Sequence, residues 1–239
     1  MKTVVVTGVS RGIGLAIAQA LLADGYHVVG LGRGEAEAFT ALTDAWPGQV
    51  DYVQADMADA AIITDAARHI TKAFAPIYGL VNNAGVGMGG VLATMHQADM
   101  ERVIATNLLG PITLTKYLVR PMLARREGRI VNISSIAAQT GFHAMSVYAA
   151  SKAGLEGFTR ALAREAGKRR VTVNCVAPGF VDTQMTGGYD AGQVEAVRRR
   201  APLGLPTADQ VAGAVLYLLS PAAAQVTGTV MTVDGGSTA

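Results

Sequence analysis

Seven short runs of β-branched and apolar residues recur along this chain, and longer segments with apolar spacing near three to four separate them. The runs are KTVVVTG (2–8), HVVGLG (27–32), QVDYVQAD (49–56), IYGLVNNAG (77–85), GRIVNISS (128–135), VTVNCVAPG (171–179) and GTVMTVDGG (228–236). Most are continuously hydrophobic, as strands covered on both faces must be. Between them RGIGLAIAQALLADG, AEAFTALTDAW, DAAIITDAARHITKAFA, DMERVIATNLLGPITLTKYLVRPMLARRE, VYAASKAGLEGFTRALAREAGK and TADQVAGAVLYLLS read as helices. Such alternation leaves few options: a parallel sheet joined by right-handed crossovers, with helices on both faces. A doubly wound, seven-stranded α/β fold is expected. All 239 residues suit a single domain, with no linker, low-complexity tract or fixed-period repeat to divide them. One segment, FVDTQMTGGYDAGQVEAVRRRAPLGLP (180–206), departs from the alternation. It reads either as a lid at the edge of the sixth strand or as a surface helix–loop insertion.

Composition narrows the function. Half the residues are apolar and 16% are charged, which excludes a disordered or fibrous chain. A net charge of +2 argues against a dedicated nucleic-acid binder. The opening MKTVVVTG lacks a signal-peptide core, and no apolar run reaches bilayer length. A soluble, cytoplasmic protein without a membrane partner is expected. The single cysteine, Cys175, rules out a disulfide framework and reads as a small buried hydrophobe. Cations cluster at Arg125-Arg126-Glu127-Gly128-Arg129, Lys168-Arg169-Arg170 and Arg198-Arg199-Arg200. These are either solvated helix ends favoured by the dipole or a docking surface for an acidic partner.

Two stretches carry chemistry. VVVTGVSRGIG places Gly8, Gly12 and Gly14 directly after the first strand and at the start of an amphipathic helix. Glycine permits the sharp turn and close backbone approach that a pyrophosphate requires, and the helix N-terminus offers free N–H groups. A dinucleotide site is expected there, with Gly-x-x-x-Gly-x-Gly spacing. In SVYAASKAG, Tyr148 and Lys152 stand four residues apart and so project from one helical face. A phenol with a pKa near ~10 holds its proton tightly; a neighbouring cation lowers that value toward the working range of an acid catalyst.

TGVSRGIG at 7–14, NNAG at 82–85, Asn107, Ser135, Tyr148 with Lys152, and Pro178-Gly179 occur in an order and spacing that resemble the short-chain dehydrogenase/reductase family, from residue 3 to about residue 236. The resemblance implies a Rossmann-type sheet, a nicotinamide cofactor and a homotetramer. It implies that Tyr148 protonates the substrate oxygen, that Lys152 also bonds the nicotinamide ribose, that Ser135 polarises the carbonyl, and that Asn107 holds a proton-relay water. For the cofactor it implies contacts from Gly8, Ser10, Arg11, Gly12, Ile13 and Gly14, from Asp56 and Met57 at the adenine, and from Asn83, Ala84 and Gly85 at the ribose. Pro178, Gly179, Val181 and Thr183 would clasp the carboxamide. No metal ligand is assigned.

Charge selects between cofactors. Gly32 stands where NAD-selective folds often place a carboxylate; Arg33 follows it, and Arg11 lies within the glycine turn. Two cations and no carboxylate fit a 2′-phosphate, hence NADP(H). Within the family, GRIVNISSIAAQTG, YAASKAGLEGFTRALARE and VTVNCVAPGFVDTQMT look most like β-ketoacyl-acyl-carrier-protein reductases. On that likeness Arg126 and Arg169 dock the acidic carrier. Two alternatives stand beside it: a reductase of a CoA thioester or free ketone, and a non-catalytic dinucleotide-binding regulator.

Overall fold

The structure, a computed structural model, describes residues 1–34, 37–181 and 191–239. Its strands are β1 (Thr3–Thr7), β2 (His27–Gly32), β3 (Val50–Gln54), β4 (Ile77–Asn82), β5 (Gly128–Ile133), β6 (Val171–Pro178) and β7 (Val230–Val233). The helices are α1 (Gly12–Ala23), α2 (Glu37–Ala45), α3 (Ala60–Ala73), α4 (Gln97–Ile104), α5 (Gly110–Arg125), α6 (Ala137–Thr140), α7 (Ser146–Gly167), α8 (Ala191–Arg198) and α9 (Ala208–Leu219). All seven strands are parallel, in the order β3-β2-β1-β4-β5-β6-β7. The expected doubly wound sheet is thus the observed one. Its order reverses between β1 and β4, and such a switch point opens a crevice at the carboxyl ends of the strands.

Alternating strand residues feed two apolar layers. Val4 and Val6 of β1 join Ile17, Leu21, Val215 and Leu218 on one face. Val5 joins Ile63, Ile70, Leu114 and Leu118 on the other. Burying each such aliphatic side chain contributes about 1.5–3 kcal/mol. Only the edge strands β3 and β7 are half-exposed, with burial patterns unlike the closed central strands.

Between β4, β5 and β6 the interior becomes polar. Asn82 Nδ2 donates to Asn132 Oδ1 at 2.8 Å and to Thr115 Oγ1 at 3.0 Å. Asn132 Nδ2 donates in turn to Thr159 Oγ1 at 2.7 Å, and that hydroxyl lies 3.1 Å from Cys175 Sγ. Cys175 is fully buried, as expected, and burial pushes its thiol up to about 12.

Two elements differ from the expectation. The long helical stretch at 99–127 is interrupted by a π turn, Ala105–Leu109, between α4 and α5. The turn carries Asn107, whose side chain is drawn inward to backbone groups of Val86. The fourth strand also ends at Asn82, because Asn83 and Ala84 turn their N–H groups onto Thr7 Oγ1 at 3.0 and 2.9 Å. Of segment 180–206, Val181 is buried and α8 is helical, while 182–190, and with it Thr183, lie outside the described residues. Among the described residues no helix is long and apolar enough to cross a membrane.

Candidate active site

The glycine turn is shaped by what it cannot accommodate. Gly8 has φ +73°, and a Cβ there would come within 2.9 Å of the Ala84 Cα. A Cβ at Gly14 would run into the Gly8 carbonyl oxygen and the Asn83 amide. Asn83 explains the tightness: its Nδ2 donates to the carbonyls of Thr7 at 2.8 Å and Gly8 at 3.2 Å, binding the end of β4 to the turn. Arg11 is the N-cap of α1, and its side chain makes no capping hydrogen bond. By contrast, Asp59 caps α3 through Ala61 and Ile62, and Thr207 forms a capping box with Gln210 on α9. The first N–H groups of α1 therefore face a cradle without Cβ atoms, which fits the pyrophosphate of a dinucleotide. Ser10 and Arg11 are exposed beside it; Gly12 and Ile13 are half-buried.

At the end of β2, a Cβ on Gly32 would lie 2.6 Å from the Tyr52 hydroxyl. That hydroxyl donates to the Gly34 carbonyl, and Gln54 Nε2 donates to the Arg33 carbonyl at 2.8 Å. A carboxylate at position 32 would displace Tyr52, whereas the exposed Arg33 side chain is presented by a loop held at two carbonyls. Asp56 is half-buried and accepts from Ala58 N–H at 2.9 Å. Met57 is buried, and its carbonyl packs against Gly110 at the head of α5.

Tyr148 and Lys152 occupy the first two turns of α7, with Lys152 Nζ 5.7 Å from the Tyr148 ring centroid. Tyr148 is half-buried; Lys152 is 4% exposed. Lys152 Nζ donates to the Ile133 carbonyl at the end of β5, 2.8 Å away. Burial lowers its pKa from 10.5 to about 8. Ser135 lies two residues past the end of β5 and is half-buried, its Oγ accepting the Ala137 N–H at 3.2 Å. Asn107 is fully buried: Oδ1 accepts Val86 N–H at 2.8 Å, and Nδ2 donates to the Val86 carbonyl at 3.0 Å and to Ser151 Oγ at 3.2 Å. A Cβ on Gly85 would stand 3.3 Å from Asn107 Oδ1 and 3.5 Å from Lys152 Nζ. The carboxyl end of β4, the π turn and α7 thus converge on one point.

Pro178 ends β6, and its carbonyl accepts Ile136 N–H at 3.1 Å, joining it to the Ser135 turn. Gly179 donates to the Val233 carbonyl at 2.9 Å, and a Cβ there would come within 2.7 Å of the Asp234 side chain. Arg126 and Arg169 are exposed and close to each other, for Arg126 Nη2 donates to the Lys168 carbonyl at 3.3 Å. They lie at the amino ends of the strands, the opposite end from Tyr148, beyond the C-terminal ends of α5 and α7.

Several contributors escaped the sequence reading. Thr7 gathers the Asn83 and Ala84 N–H groups, and Ser151 links Asn107 to α7, its hydroxyl donating to the Tyr148 carbonyl at 2.6 Å. Both lie inside stretches already quoted, TGVSRGIG and SVYAASKAG, but residue type alone does not show these contacts. The same is true of Asp234, which holds Gly236, Ser237 and Thr238 through four hydrogen bonds.

Comparison with known proteins agrees with this geometry. The chain is 39% identical over 236 residues to the 3-oxoacyl-acyl-carrier-protein reductase FabG of Escherichia coli (strain K12), covering 98% of this chain and 96% of that one. The reductase of the same name from Pseudomonas aeruginosa is 42% identical over 242 residues, and nodulation protein G of Rhizobium sp. (strain N33) 40% over 239, each with the same coverage. The model of the short chain dehydrogenase family matches residues 2–193, and with a parallel sheet, a glycine cradle and a Tyr–Lys helix in the corresponding order, this chain belongs to the short-chain dehydrogenases.

Proposed function

We propose that the chain reduces a 3-oxoacyl thioester carried on acyl-carrier protein to the 3-hydroxyacyl thioester, using NADPH, in fatty acid or polyketide-type biosynthesis in the cytoplasm. The observation that carries this reading is the convergence of Tyr148, Lys152, Ser135 and the Asn107–Gly85 contact beside the glycine cradle. Full-length likeness to two 3-oxoacyl-acyl-carrier-protein reductases supports the substrate class. Arg33, with a glycine and no carboxylate at position 32, supports NADPH over NADH.

With its pyrophosphate held by the Gly8–Gly14 cradle, a nicotinamide dinucleotide would supply the hydride that the carbonyl carbon accepts. Ser135 then donates a hydrogen bond to the carbonyl oxygen and stabilises its developing charge. Tyr148 delivers the proton to that oxygen. Its phenolate is stabilised by the Lys152 ammonium, which burial has already brought near neutrality. Lys152 returns a proton to that phenolate and regains one from solvent, while Asn107 holds the loop after β4 against α7. On the lid reading, segment 180–206 would close over the acyl chain.

Carrier docking at Arg126 and Arg169 is constrained by length. Along α7 the distance from Tyr148 to Arg169 is about 31 Å, at about 1.5 Å per residue. A carrier bound there would serve the site of a neighbouring copy in the proposed homotetramer. That separation also favours a second reading, reduction of a CoA thioester or free ketone, which needs no docking surface. Following NADPH absorbance with acetoacetyl-carrier protein, acetoacetyl-CoA and no substrate tests both. Preference for the carrier substrate supports the proposal, equal use favours the second reading, and no turnover with either overturns both.

A further inference from the structure

We infer that Glu156 is a positioning residue for Ser135, its carboxylate clamping the end of β5 and α6 onto the helix that carries Tyr148 and Lys152. Glu156 lies on α7 one turn beyond Lys152 and is only 6% exposed. Its Oε1 accepts the Ser134 hydroxyl at 2.9 Å, and Gln139 Nε2 of α6 stands 3.5 Å from the same oxygen. Oε2 faces outward, 3.9 Å from Arg160 Nη1. Ser134 is itself 2% exposed, and its Oγ is also 3.4 Å from the Lys152 carbonyl.

One carboxylate oxygen therefore gathers three elements: the last residue before Ser135, the short helix after it, and the helix of the proton donor. Taking a carboxylate out of water costs several kcal/mol unless good partners offset it, and an apolar side chain of similar volume fills such a position as well or better. The polar choice is explained by what the oxygen fixes. Backbone bonds from Ser134 N–H to the Val176 carbonyl at 2.7 Å and from Ile136 N–H to the Pro178 carbonyl at 3.1 Å already fold the turn against β6. They do not set its distance from α7. The Lys152–Ile133 carbonyl bond ties α7 to the end of β5, and the Glu156–Ser134 contact carries that tie one residue nearer Ser135, setting the spacing between the Ser135 hydroxyl and the Tyr148 phenol across the substrate oxygen.

This inference rests on Ser135 meeting the carbonyl oxygen. The test uses the full chain with NADPH and a small β-ketoester, so that carrier docking plays no part. Glu156→Leu should lower kcat about tenfold, since small misplacements of reacting groups carry costs of that order or larger. NADPH affinity should stay within about twofold, because the glycine cradle lies on other elements. Glu156→Gln keeps an acceptor oxygen and should retain most of kcat. Ser134→Ala should match the Leu variant, and the double variant Ser134→Ala/Glu156→Leu should be no worse than either single one. A Leu variant with wild-type kcat, losses that multiply in the double variant, or NADPH affinity falling in step with kcat would each overturn the inference. Should the Leu variant not fold, a Ser134→Ala chain with full kcat does so instead. A wild-type chain inert toward every β-keto substrate brings down the proposed reaction, and this inference with it.

Discussion

The two halves of the sheet hold their functional groups by opposite means. In β1–β3 the interior is aliphatic, and among the described residues its buried polar side chains are Thr3 and Thr7. The cofactor cradle there is made of backbone, open because Gly8 and Gly14 have no Cβ. Around β4–β6, Asn82, Asn107, Asn132, Ser134, Ser151, Lys152, Glu156 and Thr159 are all buried and mostly hydrogen-bonded to one another. A site built from backbone is kept by excluding side chains; a site built from side chains is kept by a polar scaffold beneath it. The first fails when an atom is added, the second when one is removed.

Tyr148→Phe removes one oxygen and should have the largest effect, lowering kcat about 10³-fold within the range expected for a lost general acid. NADPH binding, followed by fluorescence, should be unchanged, and a variant with most of its turnover would break the contrast. Gly8→Ala adds one carbon and should do the reverse, weakening NADPH binding while lowering stability by about 1–3 kcal/mol through the strained φ and the Ala84 contact. Urea unfolding and NADPH titration on the same sample would show whether the two losses travel together. Arg33→Ala should weaken NADPH about tenfold or more and leave NADH nearly untouched, as expected for a lost charge-assisted bond. Equal losses for both cofactors would remove the NADP assignment.

Asn132→Ala should cost about 1–3 kcal/mol by leaving its buried neighbours short of partners. Adding Asn82→Ala should cost less than the sum, because the two share one hydrogen bond; additive losses would deny that the polar scaffold acts as a unit. The smallest effect concerns pH. Lys152 has a folded pKa of about 8, below its ordinary 10.5, so between those values the unfolded chain holds a proton that the folded one has released. Stability of the cofactor-free chain should therefore rise as pH climbs from about 8 to about 9, above which the buried Cys175 thiol, held protonated up to about 12, works against it. Lys152→Met should flatten that rise in urea midpoints measured at the two ends. Turnover in the reductive direction should fall over the same range as the ammonium is lost.

The contrast between the halves also decides what could be read before the fold was seen. Gly8 and Gly14 were legible because an obligatory missing side chain shows in residue type, and Tyr148 with Lys152 because one helical turn fixes their spacing. β2 began and ended at the expected residues, since nothing competes with a strand running between two turns. The Asn83 amide donates to the carbonyls of Thr7 and Gly8, and a side chain's choice of backbone partner leaves no trace in composition. The Ser134–Glu156 contact was hidden for a related reason, joining elements 22 residues apart through atoms that no periodicity relates. The π turn was invisible because apolar spacing continues through Ala105–Leu109 while the hydrogen-bond pattern does not.

That turn has a consequence for recombining this chain with its relatives. A single extra residue in a helix rotates everything after it by about 100°, so α4 and α5 are out of phase by design of the Asn107 contact. A chimera whose crossover removed one residue inside Ala105–Leu109 would bring α5 to another azimuth, swinging Gly110 away from the Met57 carbonyl it abuts. Exchange points placed before Gln97 or after Arg125 keep the phase intact, and α4 through α5 are best treated as one indivisible cassette.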